Sequence, residues 1–381
     1  MQKFEKHSPV VVTEVTTKHE LRQFMQYPNR LYADNPNYIP SFYGDDLSDW
    51  TPGKNPAFDY CEARCWLARR DGEIVGRIGA ILSHKANDKF GTHRMRFSQV
   101  DFVDDSEVSA ALFGTVERWA REKGCDQVHG PLGFTDMDRE GMLVEGFDRR
   151  SLFFTNYNAP YYLEHLTRLG YRKDVDWIEY RITVPEPGGA EAERLHKLSE
   201  FILKRKHLHV ATVHHKSEYG PFVRQVFELV NAAYAPLYGV VELSDEQIER
   251  YANKFIPLVD PDFVCFVVDE QDQLVAFGVT ALDPSVALKH SDGRLFPFGW
   301  AGVLNDLHHS DTLIMLLTAV RPDLQAEGIN AVMMDHVCQS CNRHGVRFAE
   351  TGPMLELNDH ILAQWKRLEK EQHKRRRCFI K

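Results

Sequence analysis

The stretch Arg321–Asn330, RPDLQAEGIN, places a glutamine and a glycine between an apolar run and a helix-like segment. The run Asp311–Val320 has the composition of a buried strand, and Ala331–Gly345 has that of a helix. A helix N-terminus presents unpaired N–H groups and about half a positive charge, so it can bind an anion. Gly328 would let a phosphate approach these amides, and Gln325 could add a donor. The spacing therefore predicts a phosphate-binding loop, although a plain helix-capping turn explains it equally well.

A second segment of chemical interest is GPLGFTDMDREGMLVEGFD, residues 130–148, which combines glycines with five acidic side chains. Long glycine-rich loops in compact domains are often functional, and negative charge would suit a bound amine. Asp136, Asp138 and Glu140 are therefore predicted substrate contacts. A solvated surface loop is the alternative, and the acidic residues lack the order of a calcium-binding loop.

The sequence HVCQSCNRH, residues 336–344, contains a Cys-x-x-Cys pair of the kind that binds zinc. The pair lies in the middle of a predicted helix, with Cys338 and Cys341 on its apolar face, and no second ligand pair is nearby. Buried small residues are the favoured interpretation, and no metal site is predicted.

The elements that would position these residues occur twice. Two prolines and two glycines in Val184–Gly189 interrupt the pattern, which predicts one domain over 1–184, a linker over 185–206 and a second domain over 207–381. The linker is expected to contain a helix from about Ala190 to Lys206. In each half, two apolar strands are joined by a short turn, at Asp71-Gly72 in the first and near Asp272 in the second.

Each half continues with a helix and a strand. The first half has an amphipathic helix, expected to be capped by Ser106 and ended by Gly124, and the second half has a helix over Ala331–Arg343. Each half then closes with a further helix and strand, beginning near Asn158 and Asn358. The ordered set of matches predicts a duplicated α+β unit.

Composition excludes several classes. The chain of 381 residues has 43% hydrophobic residues, so it can build packed cores, and its net charge of −9 argues against a nucleic-acid binder. Seven scattered cysteines do not resemble a disulfide framework, and neither an apolar leader nor a membrane-spanning run is present, so a reduced, cytoplasmic setting is expected. The basic run Lys374–Arg377 is either a solvated strand edge or a contact for an anionic ligand or lipid. Peripheral contact with membrane lipid therefore stays open.

The second half resembles the GNAT acyltransferase fold, whose pyrophosphate loop follows a Gln/Arg-x-x-Gly-x-Gly/Ala pattern. Here Gln325 and Gly328 match, and Asn330 stands where the family favours glycine or alanine. The whole chain resembles a bacterial tandem-GNAT family through segments such as DNPNYIP, YNAPYY and GRLFPFG, and is similar to bacterial ceramide synthases. The resemblance implies an α+β fold with two tandem GNAT-like domains, each a mixed, mostly antiparallel sheet flanked by helices.

The same resemblance implies acyl-CoA as co-substrate, bound by the second half. The predicted cofactor-binding residues are Leu317, Thr318, Ala319 and Val320 on the strand, Gln325, Ala326, Glu327, Gly328, Ile329, Asn330 and Ala331 on the loop, and Asn358 at the last helix. The first half instead has Asp104, Asp105 and Glu107 where phosphates would lie. Like charges would repel a pyrophosphate, so the first half is predicted not to bind CoA.

Acyl transfer to an amine needs a base, a donor for the oxyanion and an acid for the departing thiolate. Glu350 and Glu356 are the candidate bases, and His309 is a further candidate. Trp365 replaces the tyrosine that usually protonates the thiolate in this fold. Tyr157, Tyr161 or Tyr162 could substitute, with Tyr161 also a predicted substrate contact, or they could simply pack in an aromatic core.

Two functions follow from this reading. The first is an N-acyltransferase that moves an acyl group from CoA to an amine, such as a sphingoid base. The second is a non-catalytic acyl-CoA-binding or scaffold protein, which the replacement at Trp365 favours. The segment Gly293–Gly299, GRLFPFG, could border an acyl channel or pack in the core. Acyl length, the acceptor and the oligomeric state are not specified by the sequence.

Overall fold

The computed structural model describes residues 8–381. Residues 1–7 lie outside the described residues. The expectation that the N-terminal stretch is not an apolar leader concerns these residues in part. The chain divides into two compact units. Unit 1 consists of residues 1–176, 288–299 and 376–381, and unit 2 consists of residues 177–287 and 300–375.

The strands are β1 Val11–Glu14, β2 Cys61–Arg70, β3 Glu73–Ser83, β4 Arg94–Phe102, β5 Gln127–Gly130, β6 Met142–Glu145, β7 Arg172–Thr183, β8 His209–Val210, β9 Val264–Val268, β10 Leu274–Leu282, β11 Thr312–Val320, β12 Phe348–Glu350, β13 Met354–Leu355 and β14 Lys370–Ile380. The α-helices are α1 Lys18–Leu31, α2 Tyr43–Asp49, α3 His84–Phe90, α4 Ser106–Glu122, α5 Tyr162–Arg168, α6 Ala190–Lys206, α7 Gly220–Tyr234, α8 Asp245–Phe255, α9 Ser285–His290, α10 Gly299–His309, α11 Asn330–His344 and α12 Asp359–Ala363.

In unit 1 the sheet has the order β1-β2-β3-β4-β5, followed by the last residues of β14. Its neighbouring strands are antiparallel except β4 and β5, which run parallel. The turn between β2 and β3 is made by Asp71 and Gly72, both with positive φ, as a two-residue hairpin requires. Val108, Leu112 and Val116 are fully buried and pack the face of α4 onto the sheet core.

In unit 2 the order is β8-β9-β10-β11-β12-β7, with β13 also paired to β7. Its pairs are antiparallel except β11 and β12, which run parallel. Helices α6 and α11 cover one face through a core that includes Leu195, Ile202, Ile329 and Val332. The helix expected from about Ala190 to Lys206 is α6, with those bounds.

Two sequence expectations about local structure are wrong. Asp105, not Ser106, caps α4, because its carboxylate accepts from the backbone N–H groups of Glu107 and Val108. The basic run near the C-terminus is not a fully solvated strand edge, since Lys374 and Arg376 are buried within β14 while Arg375 and Arg377 are half-buried. The sequence of the run alone does not reveal its internal partners, which are described below.

Candidate functional site

The phosphate loop, defined as residues 321–330, joins β11 to α11. Ile329 is buried beside α6 and anchors the loop, whereas Gln325, Ala326, Glu327 and Gly328 are exposed. Gly328 has φ +84°, and a Cβ there would come within 3.0 Å of the Ile202 side chain. A residue with a side chain would therefore be strained at this position, which explains the glycine.

The start of α11 has the features of an anion site. Its N-cap residue, Ile329, makes no side-chain capping hydrogen bond, and its first turn, beginning at Asn330 and Ala331, contains no acidic residue. The positive end of the helix dipole is thus not neutralised by a side chain of its own helix. The Gln325 side chain donates to the carbonyl oxygen of Val320 at 3.3 Å, so it tethers the loop to the end of β11.

One acidic residue of the phosphate loop is compensated by a neighbouring helix. The Glu327 carboxylate lies 2.7 Å from the Lys206 ammonium at the end of α6. The hydrogen bond from Lys206 is the largest influence on this carboxyl and lowers its pKa, with the charge of Arg205 contributing less. Sequence reasoning missed Lys206, although the run Lys204–Lys206 in the last turn of a helix was a visible signal.

Strand β11 separates from its neighbour β12 next to the phosphate loop. The two strands pair only from Thr312 to Ile314 and from Phe348 to Glu350, while β7 continues from β12 to β13. A register shift against β10 makes Leu316 an extra residue on β11. Residues 315–318 of this strand are half-buried, whereas its first three residues are buried. This opening between β11 and β12 is called the strand fork below.

The predicted contact strand lies along the strand fork. Leu317, Thr318 and Val320 are half-buried and Ala319 is buried. The Thr318 hydroxyl donates to the Phe277 carbonyl at 3.2 Å, so this side chain is tied to β10. Its main-chain carbonyl accepts a hydrogen bond from the Tyr234 hydroxyl at 2.9 Å, from the last residue of α7.

Tyr234 is a candidate functional residue that sequence reasoning missed. It lies 84 positions before its partner in the chain, and nothing in the sequence ties the two together. The segment NAAYAPLY around it offers a weak signal, because one tyrosine ends the apolar-faced helix α7 and a second, Tyr238, follows it. Trp365, by contrast, is buried, and its indole N–H donates to the Met354 sulfur at 3.2 Å.

The two candidate bases are both ion-paired. The Glu350 carboxylate, at the base of the strand fork, lies 3.2 Å from the Lys374 ammonium, which also lies 3.5 Å from Glu179. Lys374 and Glu179 have fully buried side chains, and Glu350 is only 13% exposed. Glu356 lies 3.1 Å from Arg375. Both assignments as base stay predictions.

The remaining predicted residues of unit 2, His309 and Asn358, lie at the ends of helices. His309 is exposed at the end of α10, where one ring nitrogen is 2.9 Å from the Asn305 carbonyl oxygen. Asn358 caps α12 by accepting from the Ile361 N–H at 3.3 Å, so the last helix does begin at this asparagine.

The acidic segment of unit 1 is partly built into the fold, since Asp136, Asp138 and Glu140 are half-buried whereas Glu145 and Asp148 are exposed. Asp138 accepts from the N–H groups of Phe134 and Thr135 at 2.7 and 3.2 Å, so it closes a local turn. Loss of water contact, with a smaller repulsion from Asp138, raises the pKa of Asp136 to about 6. Burial first, and repulsion by Asp136 second, raise the pKa of Glu140 well above its ordinary value.

The tyrosines of unit 1 are engaged in structural contacts. The Tyr157 hydroxyl accepts from the Asn35 side chain at 2.6 Å, and burial raises its pKa. The Tyr161 hydroxyl donates to the Phe102 carbonyl, and the Tyr162 ring stacks on Phe102 with centroids 4.1 Å apart. Aromatic packing, the alternative considered for these residues, describes the Tyr162 contact, whereas Tyr157 and Tyr161 are held by hydrogen bonds of their hydroxyl groups.

The N-terminus of α4 in unit 1 is occupied by side chains. The Asp105 carboxylate caps the helix and lies 2.5 Å from Arg70, which also binds Glu107 at 2.7 Å. Burial alone would raise the pKa of Asp105, but the hydrogen bonds from Arg70 and from two backbone N–H groups outweigh it and lower the pKa. An acidic group thus already fills the position that an anion would take.

Among the described residues, one group has ligand atoms close enough to hold a metal ion: His129, Asp174 and Cys378 of unit 1, within 4.8 Å of one another. Burial lowers the pKa of His129 to about 4, so its ring is neutral at pH 7. Arg94 lies 3.6 Å from the Asp174 carboxylate, and this positive charge opposes a bound cation. Cys338 and Cys341 are buried on α11, as expected.

No family model matches the chain. In sequence it is 27% identical to Protein YghO of Escherichia coli strain K12, with 97% of this chain and 95% of that protein covered. It is 28% identical to a bacterial ceramide synthase of Caulobacter vibrioides, with 77% and 75% covered. Among the described residues, no helix combines the length and apolar character that crossing a membrane requires.

In structure the chain is similar to a tandem GNAT protein from the clavulanic acid biosynthesis pathway, at a TM-score of 0.55 and 13% identity, with 98% of each chain covered. It is also similar to a GCN5-related N-acetyltransferase from Sphaerobacter thermophilus, at a TM-score of 0.52 and 13% identity, covering 98% and 95%. These likenesses confirm the predicted fold of two GNAT-like domains with mixed, mostly antiparallel sheets. The chain is a tandem-GNAT-fold protein, similar in sequence to a bacterial ceramide synthase.

Proposed function

We propose that the protein is an acyl-CoA-dependent N-acyltransferase whose unit 2 binds the CoA thioester. The observation that carries this proposal is the exposed phosphate loop, which leads into an α11 N-terminus without a side-chain cap or acidic first turn. Main-chain N–H groups at Gly328, Ile329 and Asn330 would hold the pyrophosphate. The sequence similarity to a bacterial ceramide synthase supports the class of reaction.

The strand fork is the proposed seat of the acyl-pantetheine arm. The parallel pairing with β12 extends no further along β11 than Ile314, and the extra residue at Leu316 interrupts the pairing with β10. A main-chain N–H of this stretch can then donate to the thioester carbonyl and stabilise the oxyanion of the tetrahedral intermediate. The Tyr234 hydroxyl, 2.9 Å from the Thr318 carbonyl oxygen, is the proposed acid for the departing thiolate.

Glu350 is the proposed base, and Lys374 holds its carboxylate at the base of the strand fork. Substituting Glu350→Gln should lower kcat with little change in CoA affinity, because the pyrophosphate contacts are untouched. Glu356→Gln is the matched control, since it also removes one ion-paired carboxylate of unit 2. Equal loss of kcat in both variants would contradict the assignment to Glu350.

The amine acceptor, for which a sphingoid base is the first choice, is proposed to be recognised by the acidic segment of unit 1. Asp136 and Glu140 hold raised pKa values because of their burial, so a bound ammonium would stabilise their charged forms. Asp136→Asn and Glu140→Gln should therefore raise KM for the amine while leaving CoA affinity unchanged. Asp138 serves its own backbone turn and is not proposed as an amine contact.

A direct test is to incubate the purified protein with acyl-CoAs of several chain lengths and with amines that include a sphingoid base. Release of CoA together with N-acyl product is expected, and Gly328→Asp should abolish both. Tight acyl-CoA binding without release across all amines would favour the second candidate, a non-catalytic acyl-CoA-binding protein. The buried Trp365, whose indole cannot protonate a thiolate, is the observation that favours this alternative.

A further inference from the structure

The segment Gly293–Leu304, GRLFPFGWAGVL, exposes an unusual amount of aromatic surface. In unit 1 the side chains of Phe296 and Phe298 are 81% and 79% exposed. On α10, Trp300 and Leu304 are 48% and 46% exposed and lie one helical turn apart on the same face. Core packing, one of the two alternatives left open for these phenylalanines, is wrong. Exposure of several large apolar side chains along one short segment marks an interaction surface.

The exposure is a consequence of how the loop is anchored. The Gly293 carbonyl accepts from the Tyr43 N–H at 3.0 Å, the Asp292 carbonyl accepts from the Asn29 side chain at 3.1 Å, and Lys289 donates to the Asn35 carbonyl at 2.7 Å. The base of the loop is therefore fixed to unit 1, and the rings project from an ordered support.

Two glycines allow close approaches of the backbone at the two ends of the loop. A Cβ on Gly293 would lie 1.9 Å from the Ser41 carbonyl oxygen, and one on Gly299 would lie 1.9 Å from the Arg294 carbonyl oxygen. Such close backbone approaches admit only glycine at both positions. The chain between them is forced into a tight turn, with Phe296, Pro297 and Phe298 at its exposed tip.

The charge of the segment indicates which kind of partner could bind its exposed side chains. From Gly293 to Leu304 there is no acidic residue, and the single charge is the exposed Arg294, whose guanidinium lies 5.4 Å from the Tyr43 ring centroid. Aromatic side chains beside a basic residue suit the boundary between lipid headgroups and acyl chains, where the cation meets phosphate. The exposed rings and the adjacent cation therefore match the chemistry of an anionic bilayer surface.

We propose that the aromatic tip, defined as Phe296, Pro297 and Phe298 of unit 1, docks the protein on the headgroup layer of an anionic lipid bilayer. The rings enter the interface and Arg294 contacts lipid phosphate. This surface is different from the basic run Lys374–Arg377, for which the sequence left a contact with an anionic ligand or lipid open. The docking does not depend on acyl transfer, because it requires neither the phosphate loop nor the strand fork.

The test measures partition of the full-length protein onto vesicles, without acyl-CoA, so that its result is independent of the proposed reaction. Vesicles of phosphatidylcholine with about one quarter phosphatidylglycerol should bind the wild-type protein and sediment with it. The double variant F296S/F298S should partition at least about tenfold more weakly, because it lacks the two phenyl rings that the lipid would bury. Its thermal unfolding should be unchanged, since both rings are exposed in the folded protein.

Leu357→Ser is the matched control, because Leu357 is 80% exposed but lies outside the aromatic tip. It should bind vesicles like the wild type. Arg294→Ala should weaken binding to the anionic vesicles only, and less so at high salt. Equal partition of F296S/F298S and the wild type would overturn the proposal, as would absence of wild-type binding. A concentration-dependent dimer that F296S/F298S abolishes, without vesicle binding, would assign the tip to a second copy instead.

Discussion

Helix α4 follows β4 in unit 1 and helix α11 follows β11 in unit 2, so the two helices occupy equivalent places in the duplicated fold. Their N-termini, however, differ in charge and in capping. At α4 the Asp105 carboxylate caps the helix and Arg70 holds it in place. At α11 no side chain caps the helix, and an exposed loop with Gly328 leads into it. The duplicated fold thus preserves the helix dipole in both units, while its use for an external anion is proposed only in unit 2.

The strongest way to break this comparison is Gly328→Asp. Its carboxylate would repel the pyrophosphate and its Cβ would strain a residue at φ +84°, so the Kd for CoA should rise at least roughly a hundredfold, about 3 kcal/mol. Titration calorimetry measures this directly. Gly345→Asp is the matched control, because Gly345 has φ +70° at the other end of α11 with open space around it. Equal loss of affinity in both variants would refute the loop assignment.

The reciprocal change in unit 1 should alter stability instead of binding. Asp105→Ala removes the cap of α4 and the partner of Arg70, so unfolding should cost about 1–2 kcal/mol less. Calorimetry of unfolding and CoA titration on the same sample separate the two effects. The CoA stoichiometry should stay at one per chain, and the appearance of a second CoA site would show that only Asp105 had kept unit 1 from binding.

The pH dependence of the acidic segment of unit 1 gives a third test. Asp136 has a folded pKa of about 6, above its ordinary 3.8, so its stabilising effect is present at low pH and is lost as the pH rises from about 4 to about 6. Asp136→Asn lacks this loss and should be more stable than the wild type by up to about 3 kcal/mol at pH 7. Unfolding measured at several pH values should show the difference growing between pH 4 and 6. A difference that is constant with pH would contradict the burial argument.

The smallest expected effect sharpens the comparison at the phosphate loop itself. Glu327→Gln removes a negative charge and releases the Lys206 ammonium, now 2.7 Å away, to face the phosphates. The Kd for CoA should fall by about twofold to fivefold, which corresponds to an exposed ion pair. The effect should shrink at high salt. Weaker binding would show that Glu327 orients Lys206 for the ligand.

Much of the fold could be predicted because its signals are local. The turn at Asp71-Gly72, the periodicity of α4 and the glycine of the phosphate loop each specify structure within a few residues. The environment of Lys374 could not be predicted, because its partner Glu179 is 195 positions away. Tyr234 was missed for the same reason, since its contact with β11 exists only after the strand has folded against α7.

The exposed rings of the aromatic tip show a different limit. The apolar run GRLFPFGW has the composition of a core segment, and composition alone does not distinguish a buried phenylalanine from one held in solvent. The distinction came from backbone geometry, namely the close approaches at Gly293 and Gly299. Two glycines flank an aromatic pair in the sequence, but the close backbone approaches that require them are apparent only in the folded structure.

The assignment of residues 288–299 and 376–381 to unit 1 has a consequence for how the protein is made. Phe379 and Ile380, which are synthesised long after β5, pair with Gly130 and His129 of that strand. Unit 1 therefore cannot be completed until residues 376–381 have been synthesised. A recombinant fragment cut at residue 184 would leave the edge of β5 bare, and such an edge invites aggregation.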